Sequence, residues 1–515
     1  MTYTMKNSSP WDRFIKGSKA TPHYIHWCLL FVFVLALYTV TLAPDLTWQD
    51  QGEYQVHVAH CILNRPGDVV RVHPLFIITA HYLGRLGLFN YAYAANLVSA
   101  IFTAVTVANI YLLLYRLVDR VWPAVLGALT FALAHSVWFL GVQAQTYGMA
   151  NAAMTTGLLF ALAFQKSKKA EYLLWMGFAF GLGVSVHMMS QIAFGVIMVW
   201  LLIGCVRKRV SIRAFLAVIL FWTAGACLLW MAMALEYHRS GDGAGALQSA
   251  IWGKWGAAVF NLGDLPRLIK RSAQFFVLNF PTPLVLLTIP GIIFSFTRFH
   301  NIVIARLLLS LTIIYGLFAL RYDIPNQNNF FLPMYLFVSI YIGLGFAYAF
   351  PRQRIFWGTV TAVLLLSIPP AYLVISHYAR QRSLDLGTNR HIPYRDVYAY
   401  YLLPWQHRQR GPRLFAEATF KTVPQDAIIL ADKTALPPLQ YLHEVEMVRP
   451  DVDILLLPDK FTIQNLRLAQ RRVFTISNVK GYYPAWVKDP ENLIRFPIST
   501  TEHIFEIANE EFENE

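Results

Sequence analysis

Two carboxylates stand three residues apart in the run Thr47-Trp48-Gln49-Asp50-Gln51-Gly52-Glu53-Tyr54. On a helical turn Asp50 and Glu53 share one face. A carboxylate placed there can take a proton from an attacking hydroxyl, as a general base or as the anchor of one. The same spacing also fits a helix start, with Asp50 as N-cap and Glu53 at the third helical position. Spacing alone leaves both readings open. His57, His60, Cys61, His73 and His81 follow. Their intervals match no standard metal-ligand pattern, so they read as surface or substrate-contacting side chains, and no metal is expected. Further polar groups sit at the ends of apolar runs: Gln143, Gln145 and Tyr147, then His187, then the loop Arg321–Asn329 with Asp323 and Asn326. Each alone reads as a solvated loop. Together they frame one outward-facing cavity.

The elements that must hold these groups are hydrophobic. Of 515 residues 56% are hydrophobic and 14% charged, against about 25% charged in a soluble domain. Mean hydropathy is +0.43. Apolar runs long enough for a hydrocarbon core recur up to Ser376 and then stop. The spans expected are 27–43, 93–115, 121–142, 148–164, 172–187, 190–206, 214–235, 275–296, 307–320, 331–350 and 355–376. The first is read as a permanent helix and not a cleaved signal, because it is long and no small-residue cleavage site follows it. This predicts a mainly α, polytopic bundle of about eleven transmembrane helices with a soluble α/β domain behind it. The domains are a cytoplasmic segment 1–26, a membrane domain 27–376 with a first outer loop at 44–92, and a soluble domain 377–515.

Lysine and arginine set the orientation. With Lys6, Arg13, Lys16 and Lys19 on the cytoplasmic side, alternation also puts Arg116, Arg120, Lys166, Arg207, Arg298, Arg306, Arg352 and Arg354 inside. Asp50, Gln145, His187, Asp323 and the tail then lie outside. The hydrophobic stretch 72–89 would invert this pattern as a span, so it reads as an amphipathic helix on the outer surface. The net charge of +14 belongs to these loops, and no nucleic-acid motif accompanies it. The four cysteines form no CxxC pair, and no structural disulfide is expected. In the tail, 427–430 and 453–457 read as strands, with helices at 437–445 and 461–469.

Six blocks, in order along the chain, carry a family likeness. They are Leu42–Tyr54; His73-Pro74-Leu75 with Asn96–Ala100; Gln143–Tyr147; Gly183–His187; Tyr322–Pro325 with Phe330–Tyr335; and Tyr441–Val452. In this the chain resembles the bacterial protein O-mannosyltransferase-like membrane family of the GT-C glycosyltransferase superfamily. The resemblance implies an active site between outer loops and membrane, a polyprenyl-phosphate sugar as donor substrate with no other cofactor, and catalysis by an acidic residue of the first outer loop. Asp50 matches that position, with Glu53 as companion. His73, Gln145, Tyr147, His187, Arg321, Asp323 and Asn326 are the substrate-binding candidates, and Arg321 or Arg71 the phosphate-stabilising cation. Three departures stand out, the first and last of which remove negative charge: Gln145 stands where the family has Glu, Gln51 where it has Ser, and Asn326, Gln327 and Asn328 where it is more acidic.

The implied function is transfer of a hexose such as mannose from the lipid donor to an extracytoplasmic hydroxyl, on protein Ser/Thr or a glycan. The expected partners are thus the bilayer, the lipid-linked donor and a protein or glycan acceptor. Short loops point to a bacterial inner membrane with the tail in the periplasm. Two other classes compete: a lipid-linked glycan transporter or flippase, and a catalytically inactive scaffold of the same fold. Against transport, no matching halves are visible.

Overall fold

The computed structural model describes residues 22–259, 261, 263–297, 302–351, 355–387, 390–457 and 471–508. The basic N-terminus, positions 298, 352 and 354, the helix expected at 461–469 and the acidic end lie outside the described residues.

Every one of the eleven apolar runs is a helix or a bent helix pair. Among the described residues six helices are long and apolar enough to cross a membrane, and nine if each bent pair is one span. The other two, Ala170–Val186 and Ser190–Val206, have 17 residues each, roughly 26 Å at 1.5 Å per residue. They part at His187–Met189, where the expected split falls. Bends of 67° and 65° interrupt Val121–Gly141 and Ile212–Ser240. A third, of 105°, separates Leu265–Asn279 from Pro283–Thr297, where Pro281 and Pro283 remove backbone donors. Leu29, Phe33, Val199, Leu220, Ile355 and Leu366 are exposed, giving the bundle an apolar exterior suited to lipid.

Two expectations for the connecting segments change. The stretch 236–273, left as a connection between the expected spans 214–235 and 275–296, contains the helix Gly243–Ile251 and most of Leu265–Asn279. In the latter, Leu265, Leu268, Ile269, Ser272, Phe275 and Phe276 recur at three- and four-residue steps, with Arg267, Lys270 and Arg271 between them. That is the pattern of an amphipathic helix. The stretch 72–89 does form a helix, Pro74–Arg85. Its apolar face is covered by protein: Phe76, Ile77 and Ala80 pack with Tyr54, Val58, Val98 and Met149.

The tail carries a five-stranded sheet, ordered β2-β1-β3-β5-β4. Its parallel half is β1 (Ile428–Ala431), β2 (Asp453–Leu456) and β3 (Val473–Thr475). The strands β4 (Leu493–Pro497) and β5 (His503–Ile507) add antiparallel to β3. The expected first helix is Leu436–Gln440 continued by a π-turn at Tyr441–Val445. The tail is fastened to the first loop. Arg413 pairs with Asp45 and, at 2.7 Å, with Glu446. The Tyr441 hydroxyl accepts the Ala92 N–H at 3.2 Å. Within the tail itself, Arg449 donates to the carbonyls of Phe420, Val423 and Pro424 at 2.6–3.0 Å.

Candidate active site

The helix Gln49–His60 opens without the expected cap. Its N-cap is Trp48, in extended conformation, and no side chain caps it. Asp50 therefore lies inside the first turn, and its carboxylate is engaged elsewhere. A buried amide pair fixes the approach to this helix. Asn96 donates to the Ala43 and Asp45 carbonyls, both at 3.0 Å. Gln55 donates to the Asn96 side-chain oxygen at 3.1 Å and accepts the Thr47 N–H at 3.0 Å. Gly52 must be glycine, because a Cβ there would strike the Thr47 carbonyl and the Pro437 ring.

The loop back brings the counter-charges. The 3₁₀ turn Val69–Arg71 leads to His73, which takes a left-handed conformation (φ 52°) before Pro74 at the first helical position. Arg71 then donates to Glu53 at 2.6 Å and to Asp50 at 3.2 Å, while Arg65 donates to the other Glu53 oxygen at 2.5 Å. Asn326 donates to the second oxygen of Asp50 at 2.8 Å.

These contacts separate the two carboxylates chemically. Burial pushes the Asp50 carboxyl above its ordinary value; Arg71 opposes this and Glu53 reinforces it. Burial acts likewise on Glu53, but Arg71 and Arg65 outweigh it and hold Glu53 below its ordinary value. For Arg71, burial works against the charge and is outweighed by Glu53 and Asp50, so it stays protonated more firmly than usual. Two neighbouring acids driven apart in this way can take different roles. Glu53 is a fixed anion that holds two arginines, and Asp50 is the one suited to exchange a proton.

Asp50 opens on a cavity of about 470 Å³. Arg71, His73, Gln145, Tyr147, His187 and Asn326 share its lining, so six of the expected residues converge there together with the cation. The His73 and His187 rings stack at 4.9 Å, and Tyr147 lies 5.0 Å from His187. His73 Nδ1 is bonded to the Val186 carbonyl at 2.8 Å, and burial holds its pKa well below the ordinary value. His187 Nδ1 accepts the Met189 N–H at 3.1 Å, which leaves Nε2 as the protonated nitrogen of the neutral ring. Gln145 is gripped at its backbone by Ser99, at 2.8 and 2.9 Å, while its side-chain oxygen is buried without a hydrogen-bond partner. Apolar side chains make up much of the remaining lining, with Met188, Met189, Ile192, Trp252, Val259 and Phe318.

Three expected residues are not on the lining. Glu53 acts through Arg71. Arg321, expected at the phosphate, donates to the Asn261 carbonyl at 3.0 and 3.2 Å. Asp323 accepts from Arg267 at 2.6 Å, Arg271 at 2.7 Å and Asn261 at 3.3 Å, which fixes the loop that carries Asn326. Sequence reading missed Trp252, Trp255 and Val259, which the period of the 236–273 segment signals, and Lys433 and Thr434 of the tail, for which no local signal exists.

The architecture has known counterparts. ArnT from Cupriavidus metallidurans, in a structure with undecaprenyl phosphate, superposes with a TM-score of 0.58, covering 94% of this chain and 98% of that one at 13% identity. The Archaeoglobus fulgidus oligosaccharyltransferase gives 0.50, covering 86% and 66% at 13% identity. The chain has the GT-C fold. On this GT-C scaffold, residues 50–211 match the family described as the protein O-mannosyl-transferase TMEM260 N-terminal domain. Protein O-mannosyl-transferase tmem260 of Dictyostelium discoideum is 22% identical over 517 residues, covering 88% of this chain and 60% of that protein. Its Mus musculus counterpart is 25% identical over 480 residues, covering 83% and 62%. The chain thus spans about three fifths of the length of these curated relatives. The likeness to O-mannosyltransferases drawn from the sequence is borne out, and the apolar helices on a GT-C scaffold make this an integral membrane protein.

Proposed function

We propose that this protein is a membrane glycosyltransferase that moves a hexose, such as mannose, from a polyprenyl-phosphate donor to an acceptor hydroxyl, on protein Ser/Thr or a glycan. The observation that carries the reading is that Asp50 and Arg71, 3.2 Å apart, line one cavity whose remaining lining is largely apolar. The polyprenyl chain lies along that apolar lining and the phosphate against Arg71. Gln145 offers its unpaired oxygen to a sugar hydroxyl. The acceptor oxygen attacks the anomeric carbon while its proton passes to Asp50. The bond from that carbon to the phosphate oxygen breaks, its electron pair leaves with polyprenyl phosphate, and Arg71 meets the developing charge. A single displacement inverts the anomeric configuration. Lipid supply and acceptor both meet at the cavity mouth, on the outer face of the membrane, beside the tail.

The reading is supported by the names of the relatives, by the undecaprenyl phosphate bound to ArnT, and by the opposite fates of the two carboxylates. It is tested by incubating purified protein with polyprenyl-phosphate mannose and Ser/Thr peptides, with mass spectrometry of the products. Transfer with inversion is expected. Intact donor and acceptor, with the lipid bound, would favour a transporter or silent scaffold.

A further inference from the structure

The geometry points to Lys433, delivered by the soluble tail, as a second cationic contact for the phosphate of the lipid donor; this deepens the proposed function and rests on it. Lys433 is exposed, yet it lines the same cavity as Asp50 and Arg71. It follows β1 in the loop 432–435, and that loop is seated with care. Asp432 is held by Arg390 at 2.6 Å, a side chain itself almost wholly buried, and accepts the Thr434 N–H at 2.8 Å. The Thr434 carbonyl accepts the Gln49 N–H at 3.2 Å, so the loop is bonded to the residue beside Asp50. Pro437 then packs on Gly52. Asp432 and Thr434 thereby hold the loop that places Lys433 on the cavity lining.

The charge arithmetic gives this lysine its task. Arg71 already divides its guanidinium between Glu53 and Asp50. Breaking the sugar–phosphate bond turns a phosphodiester into a monoester and adds negative charge to the leaving group. A second cation that touches that group strengthens as the charge grows, which is the requirement for catalysis as opposed to mere binding. An ammonium on a flexible stem suits a phosphate whose distance changes along the reaction.

The test uses the full chain and polyprenyl monophosphate as probe, with binding measured apart from turnover. Lys433→Ala is expected to weaken binding of the monophosphate by about 10- to 100-fold, the range of a lost charge-assisted hydrogen bond. Lys433→Arg restores it to within about threefold, and the melting temperature stays that of the parent, since the residue is exposed. Where transfer is measurable, kcat falls with Lys433→Ala more than KM rises. Unchanged monophosphate affinity in Lys433→Ala overturns the inference even if the parent protein transfers sugar. If the parent binds the monophosphate but transfers nothing, the binding comparison still decides Lys433, and only the proposed reaction fails. A parent protein that does not bind the monophosphate removes both.

Discussion

Replacing Asp50 with Asn removes a proton acceptor and little else. Asn is the same size, and its oxygen can still accept from Asn326, as Asp50 does at 2.8 Å. Arg71 loses its longer partner, at 3.2 Å, and keeps Glu53 at 2.6 Å. The phosphate-binding guanidinium therefore stays in place, and KM for the lipid donor should move by no more than about threefold. The lost step is proton transfer, which contributes about 10²- to 10⁴-fold to rate, or roughly 3–5 kcal/mol of barrier. The assay is steady-state transfer from polyprenyl-phosphate mannose across pH 4.5–8. The parent should lose kcat/KM toward acid, because the base is active only when ionised, and the loss should set in above the ordinary carboxylate range of about 3.9 because burial raises Asp50. Asp50→Asn should lack that acid limb and run at the low residual rate throughout. A variant with kcat within threefold of the parent, or with the acid limb intact, would refute the assignment of Asp50 as base.

Arg71→Ala should raise KM for the lipid donor and lower kcat together, by about 10- to 100-fold each, with Arg71→Lys recovering part of the loss; steady-state kinetics at varied donor decides it. Gln145→Ala should weaken sugar recognition by about 5- to 30-fold, one hydrogen bond's worth, while leaving affinity for sugar-free polyprenyl phosphate unchanged, as a direct binding assay would reveal. Asn96→Ala should lower stability by about 1–3 kcal/mol, because the carbonyls of Ala43 and Asp45 and the Gln55 amide lose their buried partner; thermal unfolding in detergent measures it.

The spans were legible because burial in lipid imposes a length, and eleven runs of that length became eleven helices or bent pairs. Asp50 was legible because it sits in a polar run at the end of an apolar one, but its contacts were not. Spacing alone also allowed a cap, and only the backbone shows that the helix begins two residues earlier, with Trp48 as cap. The different surroundings of Asp50 and Glu53 depend on Arg65 and Arg71, which arrive on the loop that returns after Cys61 in a left-handed conformation and on the 3₁₀ turn Val69–Arg71, a geometry no pattern of residue types announces. Arg321 and Asp323 were misjudged for a related reason. Polar residues in a loop beside a site look like ligands, but these two bind the neighbouring 261–271 segment and hold the loop in place. In the tail, β3 has three residues and β4 is largely exposed, so neither carries a clear alternation. Lys433 was beyond reach because its cavity is built by loops far away in sequence.

The pairing of Arg413 with Asp45 joins positions 368 residues apart, so the tail and the first loop can meet only late in synthesis. A ribosome adding about 5–20 residues per second needs on the order of tens of seconds to travel that distance. Throughout this interval Asp45 lacks the arginine that pairs with it in the finished fold. The cavity wall therefore stays incomplete until the last fifth of the chain supplies Lys433 and Thr434, and a product truncated before them would keep its apolar helices yet lack that part of the wall.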